Sequence, residues 1–318
     1  MSGPALLADV GGTHARVTVI APGAAAMHVV ERRCDDFDGL EPLLADALAD
    51  FEAVPARAAL ALAGPIEDDV VRLTNRPWTI NGKSLCRRFK LDDCRLVNDF
   101  AAIAWSLPAL GDDDLEGFGD GDDGERGRAA MVVLGPGTGL GVAAAVPNGA
   151  GRWSIVAGEG GHSSLTPADR FEAGLLQHLW KTRRPISHED LLSGPGLARL
   201  HQAMAEMGDQ PPVSDDPARI VDAARDDPDG LPAQSVRVFC RLLGGFAGDL
   251  ALVFGARGGV FLAGGVVGRL GGLFDAAGFR ERFVAKPPMQ AWIAPIPTYK
   301  VIHPYPALKG LANYVVAS

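Results

Sequence analysis

The chain has 318 residues, 47% hydrophobic and 22% charged, enough for two domains with real cores and incompatible with disorder over most of its length. Thirty basic against 39 acidic residues give a net charge of −9, a poor basis for holding nucleic acid or an anionic membrane surface. Glycine, at 40 residues with no G-X-Y period, excludes collagen and has to sit in turns or ligand loops.

In chain order, residues 6–10 read as a strand and 15–20 as a second, joined by Gly11-Gly12-Thr13 into a hairpin with a glycine tip. Residues 27–33 add a third strand. Leu40, Leu43, Leu44, Ala47, Leu48 and Phe51 fall on one face of a helix, with Asp38 as its N-cap and Glu41 completing a capping box. Residues 58–63 and 70–73 read as strands, 81–90 as a helix, 95–97 as a strand closing at Asn98-Asp99, and 100–105 as a helix. This alternation is an α/β pattern. Residues 112–125 carry eight acids and no base, and read as a solvated loop that ends a first lobe.

A strand at 130–134, a glycine turn from Gly135 to Gly141 and a strand at 142–146 then repeat the opening pattern about 126 residues later, a weak internal duplication. Residues 153–156 are strand-like. Helices are predicted over 169–181, 196–206, 217–224 and 233–254. A strand at 259–263, a turn at Gly264-Gly265 and a helix over 266–275 follow. Glycines where strand gives way to helix suit a phosphate or nucleotide.

The four cysteines (Cys34, Cys86, Cys94, Cys240) form no C-x-x-C pair, against a disulfide scaffold or a zinc ribbon. The first twelve residues lack Lys and Arg and are interrupted by Asp9, so they do not read as a secretory signal. No apolar stretch approaches the ~18–20 residues that span a bilayer. A cytoplasmic protein is expected.

Several motifs fail. Gly82-Lys83-Ser84 has Pro77 where a P-loop needs glycine, the 135–141 turn has Leu140 where G-x-G-x-x-G needs glycine, and His188-Glu189 has Leu192 where a zinc helix needs histidine. No G-x-S-x-G elbow occurs.

Others remain. Gly11-Gly12-Thr13 offers close backbone N–H groups and a hydroxyl to phosphate oxygens, and Asp9 can hold the water shell of Mg²⁺; a plain tight hairpin is the alternative. The 135–141 turn is a second such loop and Gly264-Gly265 a third glycine contact, each otherwise a simple turn. Asp99, at a strand end, can take a proton from a substrate hydroxyl, as phosphoryl transfer to an alcohol requires, or can simply cap the helix after it. Glu159 and His162, three apart on a glycine turn, can meet paired sugar hydroxyls or face solvent. Glu189 by itself reads as a helix-start acid.

Taken together and in order, these segments resemble the bacterial glucokinase family of the actin-like, hexokinase-type ATPase superfamily. The matching residues are Asp9-Val10-Gly11-Gly12-Thr13, Leu96-Val97-Asn98-Asp99-Phe100, Gly135 to Gly141, Gly158-Glu159-Gly160-Gly161-His162, Glu189 with Leu192 to Gly196, and Phe261 to Gly265. The resemblance implies an α/β, two-lobed actin-like ATPase (ribonuclease H-like) fold with a cleft between lobes. A small domain at 1–108, rejoined by 301–318, and a large one at 109–300 follow from it. It implies ATP-dependent phosphorylation of glucose at O6 with Asp99 as general base. Asn98, Asp99, Glu159, His162 and Glu189 bind the sugar, and Ala8, Asp9, Val10, Gly11, Gly12, Thr13, Gly137, Thr138, Gly264 and Gly265 line the nucleotide, with Mg²⁺ near Asp9. A homodimer is also implied. The cysteine cluster of the related zinc-containing sugar kinases is absent, so no zinc is expected. The competing readings are a kinase for fructose, mannose or an N-acetylated sugar, and a non-catalytic sugar sensor. The sensor lacks room for an N-terminal DNA-binding helix pair before the first strand.

Overall fold

The structure, a computed structural model, describes residues 3–21, 27–73, 76–149 and 151–317. It divides into two compact units, Met1–Leu110 with His303–Ser318, and Gly111–Ile302.

In the first unit, β1 (Ala5–Val10) pairs antiparallel with β2 (His14–Ile20), and β2 antiparallel with β3 (Val30–Arg33). After α1 (Leu40–Leu48), β4 (Arg57–Leu62) returns parallel to β1. The short strands β5 (Ile66–Glu67), β6 (Val70–Arg72) and β7 (Thr79–Asn81) form a separate antiparallel sheet. Then come α2 (Gly82–Phe89), β8 (Asp93–Asn98), parallel to β4, and α3 (Asp99–Ser106). The order β3-β2-β1-β4-β8 places the two most apolar strands in the middle. Nearly every residue of β1 and β4 is buried, as strands covered on both faces require.

The second unit opens with β9 (Leu115–Phe118), β10 (Met131–Pro136), β11 (Leu140–Pro147) and β12 (Trp153–Gly158). The helices α4 (Arg170–Leu179), α5 (His188–Leu191), α6 (Gly194–Met207), α7 (Pro217–Asp226) and α8 (Leu231–Phe254) follow. It closes with β13 (Val260–Leu262), α9 (Gly265–Leu270), α10 (Ala276–Val284), α11 (Gln290–Ile293) and β14 (Thr298–Val301). Its sheet runs β12-β11-β10-β13-β14-β9, with β10–β12 antiparallel and β13 and β14 parallel to β10. With β9 set aside, order and strand directions are those of the first sheet. The duplication that the sequence shows weakly is a repeated sheet topology. The last helix, α12 (Pro306–Ala317), belongs to the first unit and packs on α3. Among the described residues no helix is long and apolar enough to cross a membrane.

Four local expectations are corrected. The N-cap of α1 is Gly39, in extended conformation with no side-chain cap, so the Asp38–Glu41 capping box does not form. The acidic stretch is not wholly loop: β9 lies inside it, paired with β14, where Lys300 Nζ meets Glu116 Oε1 at 2.7 Å and offsets the charge. The helix expected over 266–275 stops at Leu270, where Gly271 takes a positive φ of 52°. The cap of α3 is Asn98, whose Oδ1 accepts the Ala101 N–H at 3.0 Å, and not Asp99.

The α3–α12 crossing fixes the helix that begins at Asp99. Gly310 of α12 lies so close that a Cβ there would sit 1.7 Å from the Ala102 carbonyl oxygen. Gly310→Ala gains at most about 1 kcal/mol of helix propensity, yet overpacking costs about 1–3 kcal/mol or more. Urea unfolding is expected to show net destabilisation; stability equal to or above wild type would exclude so tight a crossing.

Candidate active site

In the first unit, register brings two predicted segments to one sheet edge. Val10 pairs with Leu62 and Leu62 with Asn98, so the three share one row, and Gly11 and Asp99 are the next residues beyond it. Two strand spacings separate them, about 10 Å. This is the carboxyl edge of parallel strands, where open α/β sheets bind ligands. The Gly11–Thr13 turn closes with the Gly11 N–H donating to the His14 carbonyl at 3.0 Å, and Thr13 is exposed. Ala8 and Val10 are buried in the core, while Asp9 is half-buried. Burial pushes the Asp9 carboxyl above the usual carboxylate range, and Arg16 opposite it, 3.7 Å away, acts to lower it.

With the cap assigned to Asn98, Asp99 becomes the first residue of α3, half-buried, its Oδ1 accepting the Phe100 N–H at 2.8 Å. Of the two readings that the sequence leaves open for Asp99, the capping one falls to Asn98.

In the second unit, the other predicted residues come together around the 137–139 turn. Glu189, in the first turn of α5, accepts the Leu140 N–H on Oε2 at 2.8 Å. Its Oε1 lies 3.9 Å from His162 Nδ1, and His162 Nε2 lies 3.8 Å from Glu159 Oε2. Glu159 and His162 are exposed on the turn after β12, so their side chains face solvent with acceptors and a two-sided imidazole. The Gly194 N–H donates to the Gly137 carbonyl at 2.7 Å, tying the start of α6 to the same turn. Gly264 follows β13 with φ of 97° and lies against Pro136, whose carbonyl oxygen would be 2.6 Å from a Cβ. A side chain there would meet both strain and a clash. A cavity of about 560 Å³ opens beside it, lined by Gly264, Val267, Gly268, Phe274, Lys300 and Ile302.

Sequence reasoning missed Arg76, whose Nε donates to the Gly12 carbonyl at 2.6 Å, and gave no sign that His188 is buried beside Glu189. A lone arginine 64 residues from its acceptor gives no local signal. Among the described residues no three His, Cys, Asp or Glu side chains are placed to hold a metal ion.

The glucokinase family model matches residues 6–318. The chain belongs to the glucokinase family. A glucokinase of Chromobacterium violaceum is 41% identical, covering 98% of this chain and 89% of its own length. One from Paramagnetospirillum magneticum is 39% identical over 99% of this chain and 98% of its own. The crystal structure of a glucokinase from an Antarctic psychrotroph superposes with a TM-score of 0.88 at 32% identity, each chain covered completely. The two α/β units thus have the actin-like ATPase fold.

His188 supplies a pH test of this region. It stacks on Phe246 with centroids 4.0 Å apart, and burial pushes its imidazole down to about 4. Between that value and the ordinary 6.5 the unfolded chain binds one proton more than the folded one, so stability falls as pH falls. The loss attributable to His188 reaches about 3 kcal/mol by pH 4. In urea titrations, the stability of wild type relative to His188→Gln should shrink by this amount between pH 7 and 4; a pH-independent difference would contradict a neutral, buried imidazole.

Proposed function

We propose that this chain transfers the γ-phosphoryl group of ATP to O6 of glucose, with Asp99 as general base. One observation carries the reading: in a member of the glucokinase family, a glycine turn suited to phosphate and an aspartate at a helix start lie at the same sheet edge. The Asp99 carboxylate takes the O6 proton as the O6–phosphorus bond forms and the bond to the leaving ADP oxygen breaks. Positioning and charge stabilisation do most of the work in such a transfer.

Asn98 has its Oδ1 committed to the helix cap, so its Nδ2 is the group it offers to a sugar hydroxyl. Glu159, His162 and Glu189 supply acceptors and a donor for the remaining hydroxyls. The Gly11–Thr13 turn presents the Gly12 and Thr13 N–H groups to phosphate oxygens, the second turn presents that of Thr138, since the Gly137 N–H is held by the Gly139 carbonyl at 2.8 Å, and the cavity beside Gly264-Gly265 takes the nucleoside. Ala8 and Val10, buried, support the turn by packing.

Asp9 is a single half-buried carboxylate held loosely by Arg16. That fits Mg²⁺, which takes one or two carboxylates and completes its shell with phosphate and water. Bound at the phosphates, the ion supplies neutralisation of charge on the transferring group. We take the working form to be a cytoplasmic homodimer without a nucleic-acid partner, the last point supported by the net charge of −9.

An ADP-release assay over a hexose panel should rank glucose first in kcat/KM. Asp99→Asn should keep glucose binding, read by tryptophan fluorescence, and lose about 10²–10⁴-fold in kcat. Near-wild-type turnover by that variant would remove Asp99 from the base role.

Gly139→Ala probes the sugar side independently, because a Cβ there would sit 2.7 Å from Glu189 Oε2 and drive the carboxylate off the Leu140 N–H. The glucose KM should rise about tenfold with little change in melting temperature, the scale of one lost charge-assisted hydrogen bond. An unchanged KM would sever Glu189 from sugar binding.

A further inference from the structure

We propose that Arg76 is a positioning residue of the Gly11–Thr13 turn: it holds the turn's carbonyl side inward, places a positive charge behind it, and so sets the affinity for the terminal phosphates of a nucleoside triphosphate. The inference rests on the function proposed above and gives the phosphate site of the first unit a cation that its glycine motif does not contain.

Three carbonyl groups at the tip are tied from behind. The Gly12 oxygen accepts from Arg76 Nε at 2.6 Å, the Thr13 oxygen from the Cys34 N–H at 2.8 Å, and the Gly11 oxygen from the Cys34 thiol at 3.7 Å. The first two are strong contacts; the third is a weak one. A carbonyl dipole turned towards an arriving phosphate repels it, so tying these oxygens back removes the main local opposition to an anion. The N–H groups of Gly12 and Thr13 meet no acceptor among the described residues, in a turn where Gly12 is half-buried and Thr13 exposed. Successive N–H groups left this way form an anion-binding concavity.

Arg76 is itself held on three sides. Nε is on the Gly12 carbonyl, Nη2 pairs with the Asp35 carboxylate, and the guanidinium lies over the Trp78 ring, 5.1 Å from its centroid. Its side chain is only 14% exposed, against 57% for Asp35. The counter-ion is therefore the solvated member of the pair and the weaker competitor when a phosphate approaches. A guanidinium suits this duty because its planar fork holds Nε and Nη2 in fixed directions, one on the carbonyl and one on the carboxylate, whereas the donors of an ammonium all radiate from one nitrogen.

The test uses the full chain. Binding of Mg-AMPPNP, a non-hydrolysable ATP analogue, is measured by calorimetry, glucose binding by tryptophan fluorescence, and both KM values by the coupled assay. For Arg76→Gln the nucleotide Kd and the ATP KM should rise about tenfold, the value of one charge-assisted contact. Glucose affinity and melting temperature should stay near wild type. Arg76→Lys should recover part of the loss, restoring charge without the fork. Nucleotide affinity of Arg76→Gln within about twofold of wild type, the usual effect of a neutral surface change, would overturn the proposal. So would an equal rise for sugar and nucleotide with a fall in melting temperature, which marks a merely structural role. If wild type binds Mg-AMPPNP but phosphorylates no hexose, the reaction is wrong while the turn's phosphate affinity can still be compared between the variants; if wild type binds no nucleotide, both readings fall.

Discussion

Parallel hydrogen bonding onto a central strand is the constraint that everything else in the site depends on. β4 and β8 join β1, and β13 and β14 join β10, so each set of strands ends along one edge. The rows Val10–Leu62–Asn98 and Leu134–Leu262–Lys300 are the last rows of this parallel pairing. Whatever follows each strand is delivered to that edge: a glycine turn after β1 and β10, an aspartate after β8, a glycine pair after β13. A slip of one residue in β8 would exchange the faces of all its side chains, so pairing energy spread over the sheet fixes the place of one carboxylate.

The turns at that edge are held by hydrogen-bond partners behind them, donors and one acceptor, rather than by their own stiffness. Cys34 and Arg76 grip the first, and Glu189 and the Gly194 N–H grip the second. This resolves a tension between glycine and precision. A glycine turn admits ligands closely because it has no side chains, and for the same reason it has the most conformational freedom to lose. Supports outside the turn restrict it without occupying the space a phosphate needs.

Much of this was legible in the sequence because the signals were local. The two hairpins announce themselves by apolar runs on either side of glycine, and α8 by a long apolar face. α10 was not found, since Arg280 interrupts its pattern; that arginine is buried and donates to the Ile296 carbonyl at 2.8 Å. β9 lies among acids, and the one it carries, Glu116, is met by Lys300 from a strand far along the chain. At the candidate site, the ordered motifs mark candidate residues but not their contacts. That Asn98 caps α3, or that Glu189 reaches the Leu140 amide 49 residues away, is decided by tertiary packing, which no short window contains.

The bond from Glu189 to Leu140 also limits how such a protein can evolve. The carboxylate proposed to recognise sugar is a structural post for the neighbouring backbone turn, and it lies so close to Gly139 that a side chain there would displace it. Replacing it to admit a different carbohydrate would disturb the loop beside it in the same stroke. Drift towards new substrates should therefore pass first through Glu159 and His162, whose exposed side chains hold no backbone group among the described residues.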